Sequence, residues 1–425
     1  MMNMQNMTAQ AQNQENLAPL PRITVHAFCE TPEAAQLMQT VANDRRMART
    51  DVHIFGGGIP GAVQAYAQAM TPELLVVESQ KEANGLFADL MALAAVCSPQ
   101  TRVVVIGHHN DIQLYRRLIA EGVSDYLVMP LAPVQVINSF ANIFMASEHK
   151  ALGKVVTFIG ARGGSGSSTI AHNVAWHLSQ DFEKNTVVVD MDLAFGTAAL
   201  DYNVHATQGI LDALSSQDRI DPVFIDRLLT KCAEHLMLLA SPASIERVID
   251  VRNETLEILL DTLRGSTPWT VLDLPSDWET WTRTAFIQAD SIVITATPDL
   301  VSLRNVKSML DVAKGLRPND EPPLVVMNQV GQHKRPEIPV EDFCEALSIK
   351  PAAVIDYDPE HFGAALNESK MLAEIAPSSR AAQAVRSLAG RILGQESPEK
   401  EDKGSALSRI LGNITQMLPF GNRKG

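Results

Sequence analysis
The chain concentrates its chemistry in a few places: the run Arg162-Gly-Gly-Ser-Gly-Ser-Ser168, aspartates at Asp190, Asp192 and Asp273, and an asparagine at Asn328. Glycines let backbone N–H groups close around phosphate oxygens, and a helix beginning near Ser168 points the positive end of its dipole at the same place. The amides of Gly163, Gly164, Ser165, Gly166, Ser167, Ser168 and Thr169 are the expected cradle. One part is missing. The general phosphate-loop pattern sets a lysine after its last glycine, and this chain sets Ser167 there. A cation lost beside a transferring phosphoryl group weakens transition-state stabilisation by several kcal/mol, about 10²-fold or more in rate. The expected chemistry is therefore nucleotide binding with slow or absent hydrolysis.

The elements that must position these residues are legible as short apolar runs. Val155–Ile159 precedes the glycine run, and Thr186–Asp192, Trp269–Asp273, Ser291–Thr297 and Leu324–Asn328 follow it, separated by helical stretches. Continuous apolar strands of this kind are buried parallel strands, and ligands gather at their carboxyl ends. The strand Thr186–Asp192 is expected to end in two carboxylates, Asp190 and Asp192, on one face, because residues two apart point the same way. Asp190, Asp192, Asp273 and Asn328 then converge on the edge that carries the glycine run. His172 and His177, on the following helix, have no third partner at metal spacing and read as packing residues.

A second set of alternating units occupies residues 21–150, with strands near Ile23–Phe28, Val52–Phe55, Leu74–Val77, Val103–Ile106 and Tyr126–Val128. Five βα units make a small flavodoxin-like, doubly wound domain. The order and spacing resemble a response-regulator receiver domain, with Glu78 where that family has its phosphoacceptor and Met129-Pro130 where it has Lys-Pro. The other chemical positions depart as well: Ala27-Phe28-Cys29 replaces the metal-binding acids and Gly107 the sensing hydroxyl. The expectation is a receiver-shaped interaction module without phosphotransfer, with Glu78 a solvated strand end or, as the sharper alternative, a permanent mimic of the charged state. Gly56-Gly-Gly-Ile-Pro-Gly61 matches a dinucleotide fingerprint weakly, since it follows the second strand and Pro60 crowds the turn.

Residues 151–393 resemble the MinD/ParA group of P-loop ATPases, whose loop reads K-G-G-x-G-K-[ST]. Arg162 to Ser168, Asp190-Met-Asp192, Asp273-Leu-Pro275, Thr297-Pro-Asp299 and Val326-Met-Asn328 occur in that group's order. Within it, the receiver-like domain and a loop ending Gly-Ser-Ser-Thr resemble the CpaE/TadZ branch, which localises and helps assemble the Tad (Flp) type IV pilus secretion machine. The resemblance implies ATP or ADP with Mg²⁺ as cofactors. It gives Asp190 to catalysis and the metal, the Ser168 hydroxyl to the metal, Asp273 to the metal through water, Asn328 to the adenine and Arg162 to the signature lysine's catalytic role. It also implies a homodimer, contacts with pilus machinery through the receiver-like domain, and a cytoplasmic location peripheral to the inner membrane at a cell pole.

The flanks and composition complete the reading. Residues 1–20 form a polar leader and 394–404 a charged linker; within 405–425, Leu407, Ile410, Leu411, Ile414 and Leu418 make one face of an amphipathic helix suited to a membrane surface or a partner groove. The 425 residues carry a net charge of −14, which argues against DNA as a partner, and four scattered cysteines indicate neither a disulfide framework nor a zinc site. Two other functions stay open here: a working ParA-like ATPase that positions DNA or protein, and a scaffold that binds no nucleotide.

Overall fold
A computed structural model describes residues 20–145, 152–242 and 250–395. The leader (residues 1–19), the linker beyond residue 395 and the amphipathic segment 405–425 lie outside the described residues. In the N-terminal part, β1 (Thr24–Cys29), β2 (Asp51–Gly56), β3 (Leu74–Ser79), β4 (Arg102–Gly107) and β5 (Asp125–Val128) form a parallel sheet ordered β2-β1-β3-β4-β5, the flavodoxin-like winding. Alternate residues feed two cores: Val25, Ala27, Leu74 and Val76 pack on one face, Phe28, Leu75 and Val77 on the other. The helix after β2 spans Gly58–Ala65, and Gly57 and Gly58 adopt positive φ to turn the chain into it. A Cβ on Gly58 would collide with the Glu30 side chain, so an acid fills the place where a pyrophosphate would approach.

The second sheet is larger. It comprises β6 (Lys154–Gly160), β7 (Thr186–Asp190), β8 (Thr230–Ala233), β9 (Leu236–Leu239), β10 (Trp269–Asp273), β11 (Ser291–Ala296), β12 (Leu324–Val330) and β13 (Ala353–Asp356) in the order β13-β12-β11-β6-β10-β7-β9-β8. All its pairs are parallel except β8 with β9. Helices cover both faces: Val155 and Ile159 point into one core, Val156 and Phe158 into the other. β6, at the centre, delivers the glycine run to the middle of the sheet's carboxyl edge. The edge strands β8 and β13 escape a reading by apolar runs because they are four residues each and partly exposed. Among the described residues no helix is long and apolar enough to cross a membrane.

An ionic clasp joins the two parts. A single 3₁₀ turn, Arg45–Met47, follows the helix Pro32–Ala42 and presents Arg45 and Arg46 to the second domain. Both pair with Asp320; Arg45 also lies 3.6 Å from Asp290, and Arg49 pairs with Asp261. Arg317 donates to Asp320 at 2.7 Å, Arg264 pairs with Asp290, and Asn319 donates to Asp44 at 3.0 Å. The Arg45 and Asp290 side chains are 4% and 1% exposed, so these charges meet in a protein interior. Burial alone raises the pKa of Asp320, but Arg45, Arg317 and Arg46 outweigh it and hold the acid below the usual carboxylate range.

Candidate nucleotide site
The glycine run leaves β6 and enters the helix Ser167–Gln180 through Gly166, which sits at φ +86°. A Cβ there would be strained and would lie 2.5 Å from Asn328 Nδ2. Gly163 and Gly164 are exposed, with nothing within 4 Å of an added Cβ, so their outer side is open. Ser167, Ser168 and Thr169 form the first turn of the helix, where backbone N–H groups lack intrahelical acceptors. The buried Ser167 hydroxyl has no hydrogen-bond partner among the described residues.

The loop is braced from outside. Asn305 Nδ2 donates to Ala161 O at 2.8 Å, Asn328 Nδ2 to Ser165 O at 2.9 Å and Gln329 Nε2 to Gly164 O at 2.9 Å. Arg162 is held on the same side: its Nε donates to Asp299 Oδ2 at 3.2 Å and to Thr297 Oγ1 at 3.3 Å, and its Nη2 lies 3.2 Å from Asp299. Asp299 also caps the helix Leu300–Leu316 by accepting from Ser302 N. The signature arginine therefore has an acidic partner within its own chain.

Asp190 and Asp273 end adjacent strands at the same register, so both carboxyls emerge at the base of the loop. Asp190 is 1% exposed and its oxygens accept from Asp192 N at 3.1 Å and Ala198 N at 3.2 Å. Burial, then the neighbouring Asp273, push its pKa up to about 7. Asp192 does not share the strand face expected of it. β7 stops at Asp190, the chain turns, and Asp192 Oδ1 caps that turn by accepting from Phe195 N at 2.9 Å. Asp273 keeps one oxygen, Oδ1, buried and unpartnered among the described residues. An open glycine cradle, an orphaned serine hydroxyl and an orphaned carboxylate oxygen together fit a phosphate group with a cation.

His172 is packed in the interior as expected and also stands between two acids. Its ring is fully buried, with Nδ1 2.6 Å from Asp201 Oδ2 and Nε2 3.3 Å from Asp273 Oδ2. Desolvation lowers its pKa, but the two acids outweigh that and raise it to about 10. The signal available was its position one turn past Ser168; its acidic partners lie 29 and 101 residues away in sequence. His177 pairs with Asp181 at 2.9 Å on its own helix, a structural contact. A cavity of about 350 Å³ opens beside the loop, lined by Gly166, Thr169, Asn328, Tyr357, Pro359 and Phe362. Apart from Gly166, Thr169 and Asn328, the walls named here come from segments in which the sequence shows no motif.

Residues 153–325 match the family model described as an AAA domain. The chain is 23% identical over 271 residues to the septum site-determining protein MinD of Bacillus subtilis, covering 60% of this chain and 95% of that one. It is 47% identical to the pilus assembly protein CpaE of Caulobacter crescentus, over 30% of this chain and 96% of that solved one, at a TM-score of 0.29. The chain belongs to the CpaE type of the MinD/ParA superfamily. Identity at that level across nearly the whole solved CpaE chain decides the branch, and the MinD similarity covers the remaining domain. The CpaE-type P-loop domain shares its fold with MinD from Pyrococcus horikoshii, solved with Mg-ADP: 20% identity, TM-score 0.50, 60% of this chain and 98% of that one.

Proposed function
We propose that this protein is a localisation and assembly factor for a Tad (Flp) type IV pilus secretion machine, binding ATP or ADP with Mg²⁺ in an atypical phosphate loop that hydrolyses slowly or not at all. The observation that carries the reading is the loop itself: the amide cradle and helix terminus are kept, while Ser167 replaces the phosphate-pairing cation and Arg162 is turned to Asp299. The 47% identity to a pilus assembly protein supports the biological setting, and Mg-ADP in the P. horikoshii relative supports the ligand class.

In this reading the amides of Gly163 to Thr169 bind phosphate oxygens, and the Ser168 hydroxyl with Asp273 and Asp190 would hold the metal. Bound Mg²⁺ supplies charge neutralisation at the phosphates. Burial pushes Asp190 up to about 7, and a cation beside it would favour its charged form. Asn328 and the cavity beside it take the base. Residues 21–150 meet the pilus machinery, residues 151–393 dimerise, and the segment 405–425, joined by 394–404, contacts the inner membrane at the pole.

Isothermal calorimetry with ATP and Mg²⁺ tests the ligand: micromolar binding is expected, with phosphate release about 10²-fold below that of a lysine-bearing relative. Brisk hydrolysis that is lost in Asp190→Ala would overturn the slow-turnover reading, and absence of binding would overturn the nucleotide site.

A further inference from the structure
One turn into the helix Ser167–Gln180, the His172 ring bridges two acids from different elements. Asp273 ends β10 beneath the phosphate loop; Asp201 ends the short helix Ala198–Asp201 and borders the cavity. Nδ1 is hydrogen-bonded to Asp201, whereas Nε2 stands at ion-pair distance from Asp273 Oδ2 without hydrogen-bond geometry. Asp201 Oδ2 also accepts from Thr197 Oγ1 at 3.2 Å, in the segment whose Ala198 N–H is bonded to Asp190. The Tyr202 hydroxyl donates to the His172 carbonyl at 2.8 Å. Asp273 Oδ2 faces the ring, and Oδ1 is buried without a hydrogen-bond partner among the described residues.

We propose that His172 is the positioning residue of the Mg²⁺ subsite: it fixes the Asp273 carboxylate beneath the phosphate loop and links it to Asp201. The inference rests on the nucleotide-binding reading above. It gives a role to a residue that a purely structural account would assign to packing. A partner that orients a ligating carboxylate typically contributes 10- to 100-fold to metal affinity.

The full-length protein, His172→Gln and Asp201→Asn are each titrated with ADP, with and without Mg²⁺, and their thermal unfolding is followed in parallel. Wild type is expected to bind ADP more tightly with Mg²⁺. Each variant should lose about 10- to 100-fold in the ratio of its ADP affinity with Mg²⁺ to that without it. An unchanged or larger Mg²⁺ gain in either folded variant overturns the assignment, as does an equal loss with and without Mg²⁺, which returns His172 to packing. Should His172→Gln not fold, Asp201→Asn decides by the same criterion, since it leaves the ring in place. Wild type that binds ADP equally with and without Mg²⁺ overturns the inference alone; wild type that binds neither ADP nor ATP overturns the functional reading with it.

Discussion
Ser167 and Arg162 set the terms at the scale of the residue. Ser167 puts a short, unpartnered hydroxyl where a phosphate loop ordinarily puts an ammonium group, and Arg162 spends its charge on Asp299. An arginine fork paired with a carboxylate is a different object from a free point charge. Ser167→Lys restores that point charge, and phosphate release should rise by about 10²-fold, measured by steady-state phosphate detection. No gain would mean that turnover is limited by something other than the missing cation. The loop, Asp190, Asp273 and Asn328 were all legible from residue type and spacing, because a phosphate cradle needs a contiguous run. Asp299 stood inside a recognised motif without a role, and His172 looked like packing, because their partners come from distant strands.

At the scale of the element, β3 carries the clearest correction. Glu78 was expected at a solvated strand end, yet it is fully buried. It accepts from Glu30 N at 2.6 Å, Thr31 N at 2.8 Å, Thr31 Oγ1 at 2.7 Å and His108 Nε2 at 2.9 Å. The carboxylate thus ties the segment after β1 to the segment after β4. Burial raises its pKa, but the bonds from Thr31, His108 and Glu30 outweigh that and hold it below its ordinary 4.5. A depressed acid contributes stability that is complete above the unfolded value and disappears as pH falls through the folded one. Glu78→Gln should therefore cost about 2 kcal/mol at neutral pH by chemical denaturation. The difference from wild type should shrink on acidification below the carboxylate range; a pH-independent difference would contradict the assignment. Strand positions in this domain were readable from apolar runs, whereas the depth of Glu78 was not: it depends on two loops closing over the strand end.

For the whole molecule, the five-stranded parallel sheet and the parallel centre of the eight-stranded one followed from the alternation of apolar strands and helices, but their mutual arrangement did not. Arg45, Arg46 and Arg49 lie close together in sequence, and only the folded chain brings them against Asp320, Asp290 and Asp261. Asp320→Ala would leave Arg45, Arg46 and Arg317 without their shared acid, and breaking a buried ion pair on one side costs about 3–5 kcal/mol. Calorimetric unfolding should then resolve two transitions, one per domain; a single transition at the wild-type temperature would show that the clasp does not couple them. The clasp has a further consequence for assembly. In a dimer joined through the P-loop domains, each N-terminal domain is clamped to its own partner domain and is displayed at a set distance and angle from the other. A repeating surface would meet both at once, at an effective concentration set by rigid geometry, so weak individual contacts would add up to firm attachment.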